Sequence, residues 1–153
     1  MAAADRIYAD PSALLALYIH EPASAATSAW RWRTTGALPL TLHGRLEIVN
    51  GIGLAGFRKA ISAEAMKDAM ESFEEDIADG QYVETDVLWR ATLRRASELS
   101  AAHTPAIGCR TLDVLHVATA LELELPFFLS LDVRQRRLAK TAGLRLVQLP
   151  QSP

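Results

Sequence analysis

Short apolar runs alternate with helix-forming stretches along nearly the whole chain, and that order leaves few folds open. Residues 6–9, 38–41, 81–84, 127–130 and 144–147 read as strands. Between them lie helices expected from residue 11, over 24–34, 42–57 and 62–79, from a cap at Thr85 or Asp86 to about 101, and over 111–123 and 132–143. The punctuation supports the order. Asp10 can cap a helix whose first residue is Pro11. Gly80 and Gly143 can end the helices before them. Leu42, Leu46, Val49, Ile52 and Leu54 form a helical stripe, although Gly44, Gly51, Gly53 and Gly56 weaken that helix or permit close packing. Ala65, Met66, Ala69, Met70, Phe73 and Ile77 mark one side of the next long helix. Leu112, Leu115, Ala118, Thr119 and Glu122 are in register on a later one. Strands that alternate with helices give an α/β chain with a mainly parallel sheet. In such sheets ligands bind outside the carboxyl ends of the strands.

The length of 153 residues suits one domain, expected to span residues 1–153, and half of them are hydrophobic, enough for a full core. A net charge of −2 argues against an evenly basic protein that coats nucleic acid. That charge is segregated: residues 64–86 hold nine acids and one base, the rest nine acids and 15 bases. An acidic helix face is usually just solvated, which leaves the remainder able to carry a basic surface. The single Cys109 excludes an internal disulfide and a Cys-built metal site, and reads as a buried small residue. No apolar run has membrane length. Ala23-Ser24-Ala25 imitates a signal cleavage site, but Asp10 and Pro11 interrupt the apolar segment it needs, so a soluble cytoplasmic protein is expected.

Four acids stand out. Asp10 follows the first strand and Asp132 the fourth; each has an ordinary reading as a helix cap, Asp132 with Gln135 at capping-box spacing. Asp113, in a first helical turn, suits the helix dipole. Glu47 is harder to dismiss, since it sits between Leu46 and Ile48 and cannot face its neighbour Arg45. Carboxylates brought together repel, and a divalent cation removes that conflict. Oxygen donors without a Cys or His cluster suit Mg²⁺ or Mn²⁺.

The segments Asp10-Pro-Ser-Ala-Leu-Leu-Ala-Leu-Tyr, Leu46-Glu-Ile-Val-Asn-Gly, Leu112-Asp-Val-Leu-His-Val-Ala-Thr-Ala and Phe128-Leu-Ser-Leu-Asp-Val-Arg-Gln-Arg-Arg-Leu-Ala occur in that order. Together they resemble the PIN-domain nucleases, most closely the VapC-type toxins of toxin–antitoxin pairs. The resemblance covers about residues 7–147. It implies a three-layer α/β/α sandwich with a mainly parallel central sheet. It also implies catalytic, metal-binding roles for Asp10, Glu47, Asp113 and Asp132, with one or two Mg²⁺ or Mn²⁺ ions. Ser12 and Ser130 would hydrogen-bond those ligands; Ser130 stands where the family often has Thr. The implied reaction is endonucleolytic hydrolysis of RNA that leaves a 5′-phosphate. The implied partners are RNA, a VapB-type antitoxin and a second copy of the chain, which would dock through residues 42–57 or the first two helices.

Arg110 and Arg134 lie close to Asp113 and Asp132 and are candidate phosphate contacts, whereas Arg136, Arg137 and Lys140 read as a solvated face. His116 is three residues after Asp113, but a lone His among apolar neighbours is more often packed in a core. Trp30 and Trp32 can stack on bases or anchor an interface, with partial burial the simplest expectation. A different reading is a catalytically silent PIN-like module that binds RNA or protein; four converging acids argue against it. A phosphatase would need an Asp-x-Asp pair after the first strand, and a receiver a distinctive Lys after the late strand; neither is found.

Overall fold

The computed structural model describes residues 2–150, so the two ends of the expected domain, residue 1 and residues 151–153, lie outside the described residues. A 3₁₀ turn, Ala4–Arg6, leads into β1 (Ile7–Ala9), so Arg6 belongs to the turn rather than the strand. There follow α1 (Pro11–Leu15), α2 (Ser24–Arg33), β2 (Leu38–Leu40), α3 (Leu42–Phe57), α4 (Ala63–Ala78) and β3 (Tyr82–Glu84). The second half holds α5 (Trp89–Ile107), α6 (Thr111–Glu122), β4 (Phe127–Leu129), α7 (Val133–Thr141) and β5 (Arg145–Leu146).

Every strand pairing is parallel, as the strand–helix alternation requires. The strands form two ladders, β1-β4-β5 and β2-β3, which abut where β1 meets β2. Successive side chains on a strand point to opposite faces, and the core divides accordingly. Ile7, Ala9 and Leu129 pack with Leu14 of α1, Trp30 of α2, Ile48 and Ile52 of α3, and Phe73 of α4. Tyr8 and Phe128 face the other way, against Val114 and Val117 of α6 and Leu138 of α7. Helices α1–α4 therefore cover one face and α5–α7 the other, giving the three layers expected.

Several local expectations need correction. On α3 the buried residues are Gly44, Ile48 and Ile52, an i, i+4 set. Leu42 and Leu46 of the expected stripe are 57% and 67% exposed. Of that stripe Ile52 is buried and Val49 half-buried; Gly44 lies on the inward face without counting as apolar, which hides the first turn of the true face. Helix α5 starts at Trp89 and has no side-chain cap. Thr85 is held by the sheet instead: its N–H donates to the Leu40 carbonyl (2.9 Å) and its hydroxyl to the Val83 carbonyl (3.0 Å). The same helix continues through Pro105 to Ile107, where Gly108 (φ +76°) ends it. On α6, residues 116–120 are all buried while Leu112 is exposed, because the helix is sandwiched between α5 and α7 rather than lying on a surface. On α4 the expected face packs inward except for Ala65: Ala69 and Phe73 are buried, and Met66, Met70 and Ile77 are half-buried against them.

Most of the acidic stretch is a solvated face, as expected, while Asp76 is half-buried and accepts the Tyr18 hydroxyl at 2.7 Å. Glu64, Asp68, Glu71, Glu74 and Glu75 are exposed on α4, and Glu74 takes Arg45 of α3 in a 2.8 Å salt bridge. Trp30 is buried and Trp32 is 91% exposed, as residues two apart on a helix must diverge. Cys109 is buried, and desolvation pushes its thiol up. No helix among the described residues is long and apolar enough to cross a membrane.

Candidate active site

Parallel pairing sets the frame. Ala9 lies opposite Leu129, and the Asp10 N–H donates to the Leu129 carbonyl at 2.8 Å. The next residues, Asp10 and Ser130, thus leave the sheet side by side at the carboxyl ends of β1 and β4. Each of the three aspartates does local work here. Asp10 accepts the N–H of Ser12 (3.0 Å) at the start of α1, and the Ser12 hydroxyl donates to the same oxygen, Oδ2. Asp113 accepts the N–H of Arg110 (3.3 Å) at the start of α6. Asp132 accepts the N–H of Gln135 (2.7 Å) at the start of α7. The capping and the functional readings therefore fall on the same side chains. Three helix N-termini, with their partial positive charge, help carboxylates stand near one another.

Asp10, Ser12, Glu47, Arg110, Thr111, Leu112 and Asp113 line a cavity of about 470 Å³. Asp132 is off this wall, but its charge and that of Asp10 reach Asp113. Burial, and then these two carboxylates, push the Asp113 pKa up, against the Arg110 N–H and guanidinium that pull it down. Ser130 accepts the Asp132 N–H at 3.0 Å, as a partner of the last acid should. Arg110 stands at the mouth, 86% exposed, 3.6 Å from Asp113. Arg134 is turned to the Gly108 carbonyl (3.4 Å) and does not line the cavity. Arg136 departs from the solvated-face reading: it donates to the carbonyls of Ser130 (3.1 Å) and Val147 (3.4 Å), clamping β4 to the end of β5.

His116 is buried as expected, yet it is not merely packed. Its Nε2 meets the Glu47 carboxylate and its Nδ1 lies 2.6 Å from the Tyr8 hydroxyl. His43 stacks on it (centroids 4.9 Å), with Trp89 edge-on to His43. The sequence reading missed Tyr8, His43 and the buried amide of Gln135, which donates to Asp10 and to the Asp113 carbonyl. The one signal available was His43 one helical turn before Glu47.

A family model for the PIN domain matches residues 7–141. The chain belongs to the PIN domain family. The crystal structure of FitAcB from Neisseria gonorrhoeae shares this PIN-domain architecture, with a TM-score of 0.65 over 93% of this chain and 96% of that one. At 15% identity the likeness is one of fold. No curated protein matches the sequence. PIN domains are commonly nucleases, and such nucleases generally use divalent metal ions.

Among the described residues, no three Asp, Glu, His or Cys side chains stand close enough to grip one ion together. Each carboxylate is tied to its own neighbour, as mutual repulsion favours. The donor set still fits a hard divalent cation: three carboxylates share one wall, and after burial Asp10 and the nearby Asp132 add to the rise in the Asp113 pKa. A larger groove, about 540 Å³, lies elsewhere, beside Arg31, Trp32, Asp76 and Tyr82.

Proposed function

We propose that the chain is a single PIN domain acting as a metal-dependent endoribonuclease, the toxin of a VapC-type toxin–antitoxin pair. The observation that carries this reading is the cavity walled by Asp10, Glu47 and Asp113 at the carboxyl ends of parallel strands, with a cationic Arg110 at its mouth. Asp10, Glu47, Asp113 and Asp132 would hold one or two Mg²⁺ or Mn²⁺ ions. A bound ion supplies an acidified water and offsets charge on the phosphate.

The chain's own groups do the rest. Ser12 fixes Oδ2 of Asp10, and Ser130 fixes the turn that carries Asp132. His116 keeps Glu47 directed from α3 toward the cavity that it shares with Asp113. Arg110 meets an incoming phosphate, and Arg134 flanks the same strand end. In-line attack by water leaves a 5′-phosphate and a 3′-hydroxyl. A VapB-type antitoxin is the partner this reading requires. Exposed Leu42, Leu46 and Phe57 of α3 support a homodimer through that helix; Gly51 and Gly56 of the same helix are used internally, against Leu15 and Met66.

Purified protein incubated with structured RNA should cleave it with Mg²⁺ or Mn²⁺ and stop when EDTA is added. Cleavage that survives EDTA overturns the mechanism. Binding without cleavage under any divalent ion favours the silent RNA-binding module. Expression in bacterial cytoplasm should arrest growth, and Asp132→Ala should relieve the arrest.

A further inference from the structure

Gln135 is fully buried, one turn into α7, and every polar end of it is used. Its side-chain oxygen accepts the Ser130 hydroxyl at 2.5 Å. Its Nε2 donates to Oδ1 of Asp10 at 2.9 Å and to the Asp113 carbonyl at 3.2 Å. Its backbone N–H donates to Asp132. One residue thus touches three of the four acids and ties β1, β4, α6 and α7 together.

The amide can point only one way. The Ser130 oxygen accepts the Asp132 N–H, which leaves its own proton free to give to Gln135. Reversing the amide would set its oxygen against both the Asp10 carboxylate and the Asp113 carbonyl, two acceptors facing an acceptor. The NH₂ group must therefore face Asp10. With Ser12 occupying Oδ2 and Gln135 one side of Oδ1, the Asp10 carboxylate is held in a single rotamer with a lone pair of Oδ1 to spare. An amide does this without adding charge to a site already crowded with carboxylates. A Glu at this position would add a further negative charge.

We propose that Gln135, oriented by Ser130, is the positioning residue that holds Asp10 ready for a divalent cation; this rests on the nuclease reading of the same site. Partners that orient a metal ligand typically change affinity or activity by about 10- to 100-fold when removed. The test is a calorimetric Mn²⁺ titration of wild type, Gln135→Met, Ser130→Ala and Ser130→Thr, with circular dichroism to confirm folding and RNA cleavage measured in parallel. Gln135→Met should weaken Mn²⁺ binding by about 10- to 100-fold, with kcat reduced and KM for RNA little changed. Ser130→Thr, which keeps the hydroxyl, should bind Mn²⁺ more tightly than Ser130→Ala. A folded Gln135→Met that binds Mn²⁺ like wild type overturns the proposal. So does a Ser130→Thr no better than Ser130→Ala, a comparison that holds even if Gln135→Met fails to fold. Wild type that binds Mn²⁺ without cutting RNA overturns the nuclease reading and leaves the positioning role standing; wild type that binds no Mn²⁺ overturns both.

Discussion

Asp132 begins α7 by accepting the Gln135 N–H, while its charge also bears on Asp113 across the strand end. Asp10 and Asp113 have the same double duty. Their positions could be read from sequence because the signals are local: an apolar run, an Asp, then a helix start for Asp10 and Asp132, and an acid in a first helical turn for Asp113. Their supporting residues could not. Gln135 is 125 residues from Asp10, and Tyr8 is 108 from His116, so only the folded sheet introduces them. Tyr8→Phe should leave Nδ1 of His116 without a partner in a site 1% exposed. The expected loss is about 1–3 kcal/mol in urea unfolding. His43 offers a pH test. Burial, and then His116, hold its pKa at about 4 instead of 6.5. Below pH 6.5 the unfolded chain takes up a proton that the folded chain refuses, so His43 contributes a fall in stability from 6.5 down to about 4 and none above. His43→Phe should reduce that fall when urea midpoints are compared across the range; an unchanged slope would refute the assignment.

At the scale of elements, α3 shows why a stripe can mislead. Its glycines are not interchangeable. A Cβ on Gly51 would come 2.5 Å from Leu15 Cδ1, whereas one on Gly53 meets nothing within 4 Å. Gly53→Ala should stabilise by about 0.5–1 kcal/mol through helix propensity alone. Gly51→Ala should forfeit that gain, because the Leu15 side chain of α1 must turn aside to admit the new Cβ. Thermal melting decides the pair: equal upward shifts of the two midpoints contradict the packing described. Helix α4, with a clean apolar face on a solvated acidic back, was read nearly correctly. The extent of α6 was legible too, but its buried face was not, because a helix packed between two others has little periodicity to read.

Over the whole molecule, the net charge of −2 conceals an acidic α4 and a remainder in which bases outnumber acids. Arg110 stands exposed at the cavity mouth, beside Asp113, so Arg110→Ala should weaken RNA binding evenly across sequences and flatten its salt dependence by about one unit of slope. An unchanged slope would remove Arg110 from the phosphate path. The central claim is that the carboxylate wall is the cutting site. Asp113 lies at its centre, feels both neighbouring aspartates and lines the cavity. The most direct measurement is the single-turnover rate of RNA cleavage in saturating Mn²⁺ for wild type and Asp113→Asn, with RNA affinity measured alongside. Expected is a loss of about 10²–10³-fold or more in rate, with RNA bound at least as tightly as by wild type. An Asp113→Asn protein that is folded and cuts at the wild-type rate would contradict it.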